Sequence, residues 1–237
     1  MTATIENEPG NKRISELDSA RGIAIILVVL VHTFSFGCQF GGWDLEWTDF
    51  FWAVKQYGGC FFVLLAGVCV TLGSKSFKRG VIVFLMGMAF TGITYWLYLS
   101  GREDENVLIQ WGVLHCIGFC MMLWPLLKKI PPWLRIAAGA VIICAGYYLM
   151  SQIHVRTPWL FPLGLRTWHF TAMDYFPLMP HMGWFLLGSG LGSLIYKDRK
   201  PLFPSLKPGL FAFCGRHSLE IYMIHQPLLY IFFRFWR

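Results

Sequence analysis

The sequence predicts an all-α integral membrane helix bundle with about seven transmembrane helices. Three observations carry that prediction. Of the 237 residues, 56% are apolar and only 14% are charged, with a mean hydropathy of +0.52, whereas a soluble domain is about 25% charged. The apolar residues gather in seven runs of about 19 to 25 residues, the length that spans a hydrocarbon core about 30 Å thick. The basic residues then alternate between loops. With 11 Trp and 21 Phe there is more aromatic bulk than a soluble surface hides. Disordered, collagen-like and low-complexity classes are excluded, and no run alternates strictly as a membrane β-strand does.

The runs follow in order. A polar cytoplasmic tail, residues 1–19, precedes a single transmembrane domain, residues 20–237. The tail lacks the basic segment, short apolar core and small-residue cleavage site of a secretory signal peptide. The first run is Ala20–Cys38 and the second is Asp49–Gly73. Lys75, Lys78 and Arg79 lead into the third, Gly80–Ser100. The acidic stretch Glu103, Asp104, Glu105 separates it from the fourth, Val107–Leu127, which ends on Lys128 and Lys129. Pro132–Met150 is the fifth run, with Arg135 near its start. The connection 151–173 carries Trp159, Phe161, Trp168 and Phe170, suited to the membrane interface or to a lid. Asp174–Tyr196 is the sixth run, with Gly188, Gly190 and Gly192 placed for close helix packing. Lys197, Arg199, Lys200 and Lys207 precede the seventh, Gly209–Phe233.

Lys12 and Arg13 thus fall on the same side as the other basic loops, while Asp44, Glu46 and Asp49 share the opposite side with Glu103–Glu105. Basic loops mark the cytoplasm, so the N-terminus is predicted inside and the C-terminus outside. The same pattern accounts for the net charge of +7 without a nucleic-acid partner. The seven cysteines are odd in number, form no CxxC pair and sit in or beside apolar runs. They read as small packing residues rather than a disulfide framework or a zinc site. No HExxH motif or paired-carboxylate metal site appears, so no metal is expected.

Ionisable residues inside membrane spans are costly and are candidates for function. They are Arg21 and His32 in the first run, Lys55 in the second, His115 in the fourth, Asp174 and His181 in the sixth, and Arg216, His217, Glu220 and His225 in the seventh. Arg21 and His32 are eleven residues apart, roughly 16 Å along a helix and close to three turns, so both project from nearly one face. Several histidines fall in a common layer, with Arg21, Arg216 and His217 in a lower one near the cytoplasm. The lower layer suits an anionic ligand from the cytosol and the upper one suits proton chemistry. Plainer readings stand beside these. His115 and His225 suit hydrogen bonds across helices, and Arg21, Arg216 and Lys55 suit snorkelling to headgroups. Glu220 is four residues from Arg216 and suits an ion pair with it, and Asp174 suits an N-cap. No GxSxG elbow supports a Ser-His-Asp hydrolase.

Five segments resemble one family. The stretch Arg13-Ile-Ser-Glu-Leu-Asp-Ser-Ala-Arg-Gly-Ile-Ala-Ile-Ile-Leu, continuing to His32, is similar to the opening of bacterial membrane proteins related to the catalytic domain of heparan-α-glucosaminide N-acetyltransferase. Phe62-Val-Leu-Leu-Ala-Gly-Val with Lys78-Arg79-Gly80, Trp111-Gly-Val-Leu-His-Cys-Ile-Gly118, Asp174-Tyr-Phe-Pro-Leu-Met-Pro180 and Gly215-Arg-His-Ser-Leu-Glu-Ile-Tyr-Met-Ile-His-Gln-Pro227 resemble its later spans, in order. The resemblance implies a membrane acyltransferase of the bacterial cytoplasmic membrane. It would carry an acyl group, acetyl first among them, from cytosolic acyl-CoA to a hydroxyl or amine of a sugar or glycan at the outer face. In the lysosomal relative the acceptor is the amine of a terminal glucosamine. This chain is shorter, has fewer spans and lacks the large luminal domain, so acceptor identity is not carried over.

On that reading His32 is the expected general base, with Asp174 orienting it and His115 and His181 in the same catalytic layer. Arg21, Lys78, Arg79, Arg216 and His217 are the expected contacts to the acyl-CoA phosphates. Direct transfer and an acyl-His intermediate both remain open. So do a transporter or channel for a small anion or protons, with His and Arg lining the path, and a non-catalytic membrane partner. The apolar surface would permit a homodimer.

Overall fold

A computed structural model describes residues 14–44 and 49–235. Lys12, Arg13 and Glu46 lie outside the described residues. Eight α-helices are present among them: α1 (Ser15–Phe40), α2 (Asp49–Val70), α3 (Ser76–Leu99), α4 (Val113–Leu127), α5 (Pro132–Gln152), α6 (Leu178–Ile195), α7 (Leu210–Arg216) and α8 (Ser218–Phe235). No strand occurs among the described residues, only single bridges between Trp111 and Tyr175 and between His154 and Arg166. Three helices, α1, α3 and α5, are long and apolar enough to cross a membrane, and shorter apolar helices cover Tyr57–Val70 and Val113–Leu127. Leu30, Phe61, Leu85, Trp96, Val141 and Ile231 are large apolar residues left exposed on five of the helices. In water such a surface would be a liability, and against lipid it is the favourable one.

The helix limits have local causes. α1 opens with Glu16 and Asp18 in its first turn, where the helix dipole favours carboxylates. It stops where the Gly41 N–H bonds back to Phe36 and Gly37, and Gly42 at φ 68° turns the chain. α4 starts six residues later than its apolar run: after the short 3-10 turn Glu105–Val107, the Leu108 and Trp111 carbonyls accept from the Met173 and Phe176 amides. α5 begins on Pro132, which needs no amide partner in the first turn. Arg135 is buried one turn later. Its guanidinium donates to the Ile130 and Ser189 carbonyls and to Ser193 Oγ, tying α5 to α6. A Cβ at Gly188 or Gly192 would strike α2, and one at Gly190 would strike α5, so the glycines of α6 do serve close packing.

The run Gly209–Phe233 is a single predicted span, but the chain forms two helices there. Gly22 of α1 faces the backbone at Phe211, while Gly215 faces the backbone at Asp18, so α7 meets α1 antiparallel. No side chain fits between them at either position. α8 pairs His225 with His32 and Phe233 with Gly41, and so runs parallel to α1. The chain turns back at His217, and α8 alone is the last long helix. The core joins Ile25, Val63, Phe185 and Tyr222 to one face of α4, with Cys116 and Cys120 fully buried in it. Cys60 is buried as well, Cys144 is exposed, and all seven cysteines are free thiols.

Candidate active site

A cavity of about 630 Å³ opens at the end where α1 begins and α2 stops. Pockets for cofactors and small molecules are of this size. Its walls come from α1, α2 and α8 on one side and from the packed pair α3 and α4 on the other. Along α2 it runs from Val70 to Phe62, eight residues, or roughly 12 Å of helix axis. Arg21, Arg79, Arg199 and Arg216 line it, against the carboxylates of Asp18 and Glu220. Phe62, Ala66, Val83, Ile117 and Met121 make the walls apolar. Leu114 and Tyr222 are the two residues it shares with a neighbouring void of about 10 Å³, whose lining also includes His115, Asp174 and Gln226. That void has room for no more than about one water.

Arg21 pairs with Asp18 through Nη2, while its buried Nε has no partner. An unspent buried donor on a cavity wall points to a ligand acceptor. Arg79 and Arg216 are exposed at the mouth, and Arg199 reaches it from the α6–α7 connection with its backbone at φ 54°. Glu16 holds that connection in place. Its carboxylate accepts from Tyr196 Oη at 2.9 Å and from the amides of Leu202 and Phe203 at 2.8 Å each. Lys78 is exposed and does not line the cavity. His217 is half exposed, packs on the Phe213 ring at 4.8 Å, and faces Glu220 at 3.9 Å. Glu220 is thus paired with His217 rather than Arg216.

Beyond the cavity, one turn along α8 from Tyr222, lies a histidine pair. His32 Nδ1 and His225 Nε2 are 2.7 Å apart with their rings nearly coplanar, at 2°. His225 Nδ1 faces the carbonyls of Tyr222 at 2.8 Å and Ile221 at 3.1 Å. The Tyr222 ring meets His225 edge-on at 5.3 Å, so cavity and pair share a wall.

The other candidates lie elsewhere. Asp174 does not sit on the His32 ring. Its Oδ2 accepts from the Val113 N–H at 3.1 Å and from Tyr222 Oη at 3.4 Å. It therefore caps α4 from a distant loop, satisfying an amide that no helical carbonyl can reach. His115 is 1% exposed. It accepts from the Gly112 N–H at Nδ1 (3.1 Å) and faces Thr91 Oγ1 with Nε2 (3.3 Å), and Thr91 in turn donates to the Ile109 carbonyl at 2.6 Å. His181 is buried, bonds the Pro177 carbonyl through Nδ1 at 2.8 Å, and lies on the Phe176 ring. The structure therefore joins Arg21, Arg79 and Arg216 around one cavity and places His32 beyond its deep end. His115 and Asp174 meet at the small void, and His181, His217 and Lys78 stand apart.

Sequence reasoning missed two participants and the partner of a third. Arg199 is one of several basic residues in its loop, and nothing in the sequence separates it from them. Tyr222 looks like a core aromatic. His225 is visible as an ionisable group in an apolar run, but its partner is 193 residues away. Among the described residues, no cluster of His, Cys, Asp or Glu is placed to hold a metal ion.

No curated protein and no solved structure matches the chain significantly. A family model does: the catalytic domain of heparan-alpha-glucosaminide N-acetyltransferase, over residues 13–227. That match covers the cavity, the histidine pair and every helix of the bundle, α8 up to Pro227. The chain is an integral membrane protein and belongs to this acetyltransferase family.

Proposed function

We propose that the protein carries an acyl group, acetyl in the first instance, from acyl-CoA to a hydroxyl or amine of a sugar acceptor across the bilayer. The carrying observation is the cavity: four guanidinium groups lining it, apolar walls, and a deep end at Tyr222, one turn of α8 short of His225, the partner of His32. CoA is a polyanion with a long, thin pantetheine arm. Guanidinium forks suit its phosphates by charge-assisted bonds, and the apolar walls suit the arm. Arg21, with an unspent Nε–H and an ion pair that orients it, is the innermost phosphate contact in this reading. Helices α1 to α6 and α8 cross the bilayer in turn. The basic loops face the cytosol, so the donor enters from inside and the acceptor from the opposite face.

His32 is the general base. It takes the proton of the acceptor O–H or N–H as the acceptor lone pair attacks the thioester carbonyl. The carbon–sulfur bond then breaks, and the proton passes from His32 to the leaving thiolate. An imidazole is suited to both transfers near neutral pH. Asp174 supports this indirectly, by holding the Tyr222 hydroxyl and the start of α4.

The test is acetyl-CoA binding to detergent-purified protein beside Arg21→Ala. Saturable binding is expected in the wild type. The variant should bind about 10-fold or more weakly, since a bond to a charged partner contributes about 1.5–3 kcal/mol. No binding to well-folded wild type rules out the donor site, and flux of small anions through liposomes would then become the question.

A further inference from the structure

We propose that His225 is a positioning residue that fixes His32 as its Nδ1–H tautomer and leaves Nε2 of His32 as the bare lone pair that takes the acceptor proton. The use made of that lone pair rests on the acyl-transfer reading, whereas the tautomer follows from the contacts alone. A carbonyl only accepts, and His225 Nδ1 lies against two of them, on Tyr222 and Ile221. Nδ1 of His225 therefore carries the proton. In a neutral ring the other nitrogen is then an acceptor. Nε2 of His225 is 2.7 Å from His32 Nδ1, so His32 must donate there. Its own Nε2 is left unprotonated.

The consequence is specific. A free neutral histidine prefers the Nε2–H form, in which the outer nitrogen of His32 would be a donor and useless as a base. The pair reverses that preference. It also prepares for the charged state. When Nε2 takes a proton, the Nδ1–H bond to His225 stays as it was, now with a positive donor and therefore stronger. No side chain has to reorient during the step. His225 cannot itself serve as the base, because both its nitrogens are engaged.

The backbone supports the arrangement. The two carbonyls belong to residues three and four positions before His225 on α8, so the helix itself presents the acceptors. α8 is then held beside α1 at its far end by Phe233 against Gly41 and by Tyr230 against Phe40. The pair is thus set by two parallel helices rather than by a loop.

The experiment is ¹⁵N NMR of protein labelled at histidine, reconstituted in liposomes at neutral pH. The His32 signals are assigned by their loss in His32→Gln. Three samples are compared: wild type, His225→Leu, which removes the acceptor, and His225→Gln, whose amide oxygen can replace it. Acetyl-CoA binding is measured on each. His32 is expected as the Nδ1–H tautomer in the wild type and in His225→Gln, and as the Nε2–H form in His225→Leu. An Nε2–H signal in the wild type overturns the inference, even should His225→Leu fail to fold. So does an Nδ1–H form that survives in His225→Leu. Wild type that shows the Nδ1–H form but binds no acetyl-CoA supports the pairing while removing the acyl-transfer reading, so the two failures are told apart.

Discussion

His32 and His115 are both histidines on apolar helices, and they differ in what their second nitrogen does. At His115 every ring atom with hydrogen-bonding capacity is committed. Nδ1 receives the Gly112 amide, and Nε2 meets Thr91, whose own proton goes to Ile109. The ring closes the start of α4 and can neither take nor give a proton without breaking that closure. At His32 one nitrogen is held by another side chain on a parallel helix and the other is not held by backbone. A saturated histidine is a structural part, and a histidine with one held nitrogen is equipped for chemistry. A place on an apolar helix alone does not distinguish the two.

The largest effect that tests this contrast is at His32. His32→Ala should lower turnover by about 10² to 10⁴, the usual contribution of a general base, while acetyl-CoA affinity stays at the wild-type value. Turnover near wild type would remove His32 from the mechanism. At His115 the change should be in stability. His115→Ala leaves the buried Gly112 N–H without its acceptor and opens a cavity, costing about 2 to 4 kcal/mol. The readout is the unfolding midpoint in detergent. An unchanged midpoint together with lost turnover would put His115 on the catalytic side and reverse the comparison.

The two sites were unequally legible in the sequence. The lengths of the apolar runs pointed to helices, because bilayer thickness and backbone hydrogen bonding leave few other solutions. The runs of α4 and α6 begin several residues before their helices do, and the larger misreading of architecture was at Gly209–Phe233, where apolarity continues across a turn. Hydropathy sums over residues and carries no direction, so it cannot register that α7 and α8 run opposite ways along α1. The Arg21 and His32 relation was readable because it lies within one helix, where spacing fixes both face and depth. The pairing of His32 with His225 was not, since it depends on how α1 and α8 are juxtaposed. Asp174 was readable as a cap but not as the cap of a different helix.

Leu114 sharpens the comparison, because it is next to His115 on α4 and lines the same small void, yet also reaches the large cavity. It lines the large cavity and, with Tyr222, separates it from the small void. If the donor arm runs up that cavity, the acyl group ends against this partition, and Leu114→Ala should make room for a longer one. Propionyl- and butyryl-CoA should then gain about 10-fold against acetyl-CoA in competition binding, the scale on which an apolar pocket discriminates a methylene. An unchanged acyl preference with intact acetyl-CoA binding would place the end of the donor elsewhere in the cavity.

The smallest effect separates two neighbours that sequence treats alike. Lys78 and Arg79 are adjacent and basic, and both stand at the start of α3. Successive helix residues point about 100° apart, so one can face the cavity only if the other turns away. Arg79 lines the cavity and reaches towards Gly73 of the α2–α3 turn, whereas Lys78 is exposed outside it. Arg79→Ala should weaken acetyl-CoA binding about 3- to 10-fold, less than Arg21→Ala because the mouth is wetter and its charges are screened. Lys78→Ala should leave the affinity within about 2-fold, the scale of a screened surface charge. Titrating both variants at low and at high salt checks the reasoning behind the numbers. A long-range field from the whole basic face would make the two losses equal and abolish both at high salt. A direct contact from Arg79 keeps the difference between them.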